Sequence, residues 1–152
     1  RSDYGDTDEI VVQKCEACKQ AGLTPIVCVG ESLDQRQQDR TAAVVTTQLG
    51  AVLASAGKDE FRGAIVAYEP VWAIGTGVSA TPDQAEEVHR LIRAQLAELD
   101  EELADRTRIL YGGSVTAENA TALFGNENVD GALVGGASLK SADFVSICEA
   151  AS

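Results

Sequence analysis

Glu69 stands where an apolar run, Gly63-Ala64-Ile65-Val66-Ala67-Tyr68, gives way to a glycine-containing loop. A carboxylate between Tyr68 and Pro70 can be partly desolvated there, a setting suited to a catalytic base. Pro70 also restricts the residue before it to an extended conformation. A lone strand-end Glu is more often a plain solvated loop residue, so its downstream neighbours decide. Val71-Trp72-Ala73-Ile74-Gly75-Thr76-Gly77 is apolar, yet it leads to a well-capped helix. Apolar loops with glycines suit lids, which cover a ligand and exclude water. The alternative is a hairpin of buried core residues.

Two later turns add an anion-binding possibility. In Gly112-Gly113-Ser114 and Gly135-Gly136 the paired glycines let backbone N–H groups approach a phosphate, and a following helix N-terminus adds a favourable dipole. Tight turns with no ligand are the plainer alternative. The net charge of -12 argues against nucleic acid and anionic membranes as main partners. Backbone donors escape that objection, because they bind phosphate without net positive charge. Gly75-Thr76-Gly77-Val78-Ser79-Ala80 spells the dinucleotide fingerprint, but its glycines follow the strand only after residues 69–74, and helix capping begins at Thr81. No organic cofactor is expected from it.

Metal ligands are scarce. Cys15 and Cys18 have no second Cys/His cluster, and His89 is the only histidine, so no metal site is expected. Cys15, Cys18, Cys28 and Cys148 read as buried free thiols of a reducing compartment. His89, mid-helix near Glu87 and Arg90, reads as a surface residue.

These groups need elements to hold them. Asp6-Thr7-Asp8-Glu9 predicts a helix start with Asp6 and Glu9 as a capping box, and Gly22 ends that helix. Pro25-Ile26-Val27-Cys28-Val29 is a strand covered on both faces. A helix over 36–56 stops at Gly57, and a second strand covers 63–68. Thr81-Pro82-Asp83-Gln84 opens a helix to Leu99. A strand at 108–111, a helix at 116–124, a strand at 131–134 and a helix at 141–151 complete the order. Alternating short apolar strands and helices mean an α/β chain with a parallel sheet and right-handed crossovers, in one domain over 1–152. A piece of a (β/α) barrel and an open doubly wound sheet both fit, and both gather chemistry at the C-terminal strand ends. No stretch approaches the roughly 20 apolar residues of a membrane span. The start Arg1-Ser2-Asp3 and the absence of Met suggest a fragment or a processed chain.

Tyr68-Glu69-Pro70-Val71-Trp72-Ala73-Ile74-Gly75-Thr76-Gly77 resembles the signature of the triosephosphate isomerase family. Tyr111-Gly112-Gly113-Ser114-Val115 and Leu133-Val134-Gly135-Gly136-Ala137-Ser138 resemble its two phosphate-binding segments. Cys28-Val29-Gly30-Glu31 resembles the end of its fifth strand. The likeness runs through the whole chain in order.

The resemblance implies the C-terminal half of a (β/α)8 barrel, strands five to eight, with roughly 100 of the usual ~250 residues absent. It implies interconversion of dihydroxyacetone phosphate and glyceraldehyde 3-phosphate without metal or organic cofactor. Glu69 would be the base. The family is the standard worked case of a Glu base paired with a neutral His. Pro70, Val71, Trp72, Ala73, Ile74, Thr76, Gly77, Val78, Ser79 and Ala80 would form the lid and its hinges. Gly75, Ser114, Gly135 and Gly136 would hold the phosphate, and Tyr111 with Ser114 would latch the lid. The family's Asn, Lys and electrophilic His lie before Arg1, so this chain alone is expected to be inactive. The implied partners are a triose phosphate, the missing N-terminal half-barrel and, for the full-length enzyme, a second copy in a homodimer. The implied setting is cytoplasmic glycolysis and gluconeogenesis. The alternative is a non-enzymatic half-barrel that folds and self-associates.

Overall fold

In this computed structural model, residue 1, residues 4–75 and residues 78–151 are described. Helix α1, Asp8–Gln20, begins at Thr7, whose hydroxyl accepts from the Ile10 N–H. The cap is therefore Thr7 and not Asp6, whose carboxylate is taken by Lys14 at 2.6 Å. Gly22, at φ +71°, ends the helix, and the Leu23 N–H turns back to the Cys18 carbonyl at 2.8 Å. Strand β1, Ile26–Val29, comes next.

The helix expected over 36–56 is two. Helix α2, Leu33–Gln37, is set by a Ser32–Gln35 capping box, and Asp39 at φ +53° breaks the path before α3, Thr41–Phe61. Gly57, at φ +64°, kinks α3, and the helix continues past it. Strand β2, Ile65–Tyr68, leads through residues 69–80 to α4, Pro82–Leu99. The Thr81–Gln84 capping box expected there is present. Helix α5, Glu101–Arg106, is an element that the sequence pattern does not announce. Asp100 starts it by accepting from the Leu103 N–H at 2.9 Å.

Strand β3 is Ile109–Tyr111, succeeded by α6, Ala120–Phe124. Helix α6 begins later than residue 116 because Thr116 and Asn119 bond each other's backbone N–H and make a turn. The strand expected at 131–134 is reduced to one parallel bridge, Tyr111 to Ala132. Gly131 sits at φ +149° against the Leu110 side chain, which keeps the segment from a regular strand. Helix α7, Ser141–Ala150, closes the order.

The sheet runs β1-β2-β3, all parallel, with Val29 beside Tyr68 and Tyr68 beside Tyr111. Alternation along each strand sends Val27, Val29, Val66, Tyr68, Ile109 and Tyr111 to the helix side, where all are buried. Val45, Leu49 and Val52 of α3 and Val88, Ile92 and Leu96 of α4 meet them at helical spacing. Each such burial contributes about 1.5–3 kcal/mol, which makes this layer the core. The opposite face is thinner: Ala67 is buried, Cys28, Ile65 and Leu110 are half-buried, and Ile26 is exposed. The cysteines correct another expectation. All four are free, but only Cys15 is buried, and Cys148 is exposed. Among the described residues no helix is long and apolar enough to cross a membrane.

Candidate active site

Glu69 comes directly after β2 and is half-buried. Its backbone N–H donates to the Val29 carbonyl at 2.8 Å, so β1 and β2 fix its backbone together. Two glycines leave it room. A Cβ on Gly30 would lie 1.8 Å from the Glu69 carbonyl oxygen, and one on Gly112 would lie 2.5 Å from Glu69 Cγ. Gly112 thus has a second purpose beyond that read from sequence: it clears space for the carboxylate. Cys28, at the end of β1, faces Glu69. Burial first, then the Glu69 charge and a hydrogen bond to it, push the Cys28 thiol up to about 11. The thiol therefore stays protonated, and it donates to the Ile26 carbonyl at 3.9 Å.

The segment after Glu69 is anchored at both ends. Val71–Ala73 forms one 3-10 turn, and the Val71 N–H donates to the Glu31 carbonyl at 3.1 Å. The Glu31 carboxylate is fully buried. It accepts from Trp72 Nε1 at 3.0 Å, from Tyr68 Oη at 3.2 Å to each oxygen, and from Arg36 Nη1 at 3.2 Å. Arg36 also lies over the Trp72 ring, 5.2 Å from its centroid. Burial, and then the Glu31 charge, push the Tyr68 phenol far up, which keeps it a donor. At the other end the buried Ala80 N–H donates to Tyr111 Oη at 3.0 Å. Between these ends Val71, Ile74 and Val78 are exposed, and Gly75 stands at φ +67°. Thr76 and Gly77 lie outside the described residues. Ser79 is exposed, and Pro70 and Ala73 are buried.

Ser114 and Gly135-Gly136 succeed the two neighbouring segments joined by the Tyr111–Ala132 bridge, so they share the rim with Glu69. Ser114 is half-buried, and its carbonyl accepts from Asn119. Gly135 is exposed, and its carbonyl accepts from Ser138 Oγ at 2.7 Å. Gly136 opens a 3-10 turn to Leu139. No hydrogen bond between described residues ties Gly75 to Ser114, Gly135 or Gly136. No group of three or more His, Cys, Asp or Glu residues among the described ones is arranged to hold a metal ion.

Two residues differ from their sequence reading. The sequence shows Glu31 only as part of a strand-end turn, whereas its partners Tyr68 and Trp72 lie 37 and 41 positions away. His89 reads as a surface residue and is fully buried. Its place four after Ala85 and three before Ile92, both buried, is the signal that could have shown it.

The rim therefore brings together a half-buried carboxylate, a protonated thiol near it, and a segment bonded at both ends to Glu31 and Tyr111. The family profile described as Triosephosphate isomerase matches residues 1–151. The triosephosphate isomerase of Ectopseudomonas mendocina (strain ymp) is 56% identical over 147 residues, 97% of this chain and 59% of that protein. Those of Dechloromonas aromatica (strain RCB) and Ruthia magnifica subsp. Calyptogena magnifica are 55% and 51% identical, over 99% of this chain and 61% and 60% of theirs. The chain thus spans about three fifths of the length of the curated relatives it matches. With nearly every residue covered, the chain belongs to the triosephosphate isomerase family.

Proposed function

We propose that this chain carries the base, lid and phosphate loops of an enzyme that interconverts dihydroxyacetone phosphate and glyceraldehyde 3-phosphate. The observation that supports it most is the placement of Glu69, cleared by Gly30 and Gly112 and followed directly by a segment tied to Glu31 and Tyr111. Glu69 removes the proton from the carbon beside the carbonyl, giving an enediolate, and returns it to the neighbouring carbon. The apolar 70–80 segment closes over the reacting carbons and excludes water, which protects the enediolate. The loops at Gly75, Ser114 and Gly135-Gly136 hold the phosphate by backbone N–H groups, and Tyr111 latches the lid through Ala80.

On this reading the chain corresponds to strands five to eight of a (β/α)8 barrel. The Lys and the electrophilic His then come from the other half, which stabilises charge on the enediolate oxygen, often the largest catalytic term. The assembled enzyme is a cytoplasmic homodimer. The chain should show no turnover alone and measurable isomerisation when combined with a folded polypeptide carrying the rest of the barrel. In that pair Glu69→Asp should lower kcat at least about 10²-fold, because the base is pulled back by about one bond. An inactive pair of folded halves would refute the proposal, and unchanged turnover in the variant would mean that Glu69 is not the base.

A second reading is a half-barrel that self-associates. It is favoured by Ile26, 47% exposed on β1, an edge strand of the described sheet. Sedimentation should then show a dimer or larger species. A monomer that binds no hydrophobic dye would contradict it.

A further inference from the structure

Helix α4 delivers His89 to the point where both lid anchors meet. Tyr68 and Tyr111 are register partners on β2 and β3, with ring centroids 6.5 Å apart. The His89 ring stands edge-on to Tyr68 at 6.0 Å and 84°, and lies 6.5 Å from Tyr111. Its Nδ1 is 3.1 Å from the Asn128 carbonyl. A carbonyl only accepts, so Nδ1 carries the ring proton and Nε2 is bare. Nε2 is buried and has no hydrogen-bond partner among the described residues. Asn128 is itself clamped, donating to Glu86 and accepting from Arg93 Nε at 2.9 Å.

We propose that His89 is a positioning residue for the lid, its neutral imidazole being the shared support of Tyr68 and Tyr111 and, through them, of both ends of residues 70–80. This rests on the lid reading given above. The charged and titratable groups around the ring are Glu86 and Arg93 on α4, Asp130 after α6, Tyr68 with Glu31 behind it, and Tyr111. Burial holds His89 down at about 4, although the Asn128 carbonyl, Asp130 and Glu86 pull the other way. A second proton, on Nε2, would find no acceptor. The ring would have to leave the tyrosines to hydrate it, and both lid ends would loosen together.

Trp72 is the only tryptophan and sits in the first lid end, so its fluorescence reports the anchor without any turnover. Acrylamide quenching of the full chain is to be measured from neutral pH to about pH 4, with circular dichroism in parallel, for wild type, His89→Phe and His89→Gln. In wild type the quenching constant should rise about twofold before the dichroism changes, as expected for local opening. His89→Phe keeps a ring that cannot be protonated, and it should stay near the neutral-pH value throughout. His89→Gln keeps a donor for Asn128 but no ring, and it should be readily quenched at every pH. The proposal is overturned by no step in wild type ahead of unfolding, by an equal step in His89→Phe, or by wild-type behaviour in His89→Gln. Should either variant fail to fold, wild-type NMR decides. The His89 ring protons and the Trp72 indole N–H should then titrate with one midpoint, and two separate midpoints reject the coupling. Failure of the isomerase reading would leave all these readouts intact.

Discussion

The two ends of residues 70–80 rest on neighbouring tyrosines, yet they are held in different ways. At the first end a fully buried carboxylate gathers an indole, a phenol and a guanidinium, and its own backbone carbonyl takes a further N–H. At the second end the Ala80 N–H donates a neutral bond to Tyr111 Oη. Charge-assisted bonds in a buried site are about twice as strong as neutral ones, and losing their centre strands several polar groups at once. On the lid reading proposed above, the first end serves as a fixed pivot and the Ala80–Tyr111 bond as a contact that can be made and released. A lid needs both, because two strong ends could not open and two weak ends could not close on one geometry.

The difference is broken most severely by Glu31→Ala. Tyr68 Oη loses its buried acceptor, and the partly covered Arg36 loses its counter-charge. Removing one partner of such a pair should cost about 3 kcal/mol or more, read as a fall in the urea midpoint. Glu31→Gln keeps an acceptor oxygen for Trp72 and Tyr68 while removing the charge, and it should lose less than half as much. Equal losses would mean that packing, not hydrogen bonding, holds the pivot.

Acid tests both ends together, because His89 touches both tyrosines. In the unfolded chain His89 titrates near 6.5, and in the folded chain near 4. The folded value is lowered, so between these limits the unfolded state binds a proton that the folded state refuses. Stability from this residue is therefore fully present above about pH 6.5 and is lost progressively as pH falls toward 4, by about 3 kcal/mol in all. Urea midpoints in wild type should fall over that window more steeply than in His89→Phe. Identical slopes would assign the acid sensitivity to carboxylates instead.

Sequence alone reveals the parts of this site whose signals are local. The strand-end position of Glu69 is legible because strand, loop and capped helix lie within a few residues of it, and Thr81-Pro82-Asp83-Gln84 names its own helix start. The parallel alternation of strands and helices is legible for the same reason. The place of Glu31 is not, because its carboxylate becomes a hub only when Tyr68 of β2 and Trp72 fold onto it. His89 misleads because Glu87 and Arg90 beside it point to solvent-facing positions, while tertiary packing turns its own face inward. The segment at 131–134 carries strand-like residues, but Gly131 at φ +149° leaves only a bridge at Ala132. Apolar composition marks a place in a sheet, whereas backbone conformation decides how much of the ladder forms.

Tyr111→Phe probes the weak end with the least disturbance. The ring remains against Tyr68 and His89, and only the acceptor for the Ala80 N–H is lost. One neutral hydrogen bond contributes about 1 kcal/mol, so the urea midpoint should move little. The lid should feel it more than the fold does. If that bond forms fully only when the lid is closed, losing about 1 kcal/mol shifts the open–closed balance by roughly fivefold, and kcat in the assembled enzyme should fall by a similar factor. Trp72 quenching at neutral pH should stay as in wild type, since the pivot is intact. A variant that exposes Trp72 would show that the two ends move as one unit, which would erase the distinction between pivot and latch.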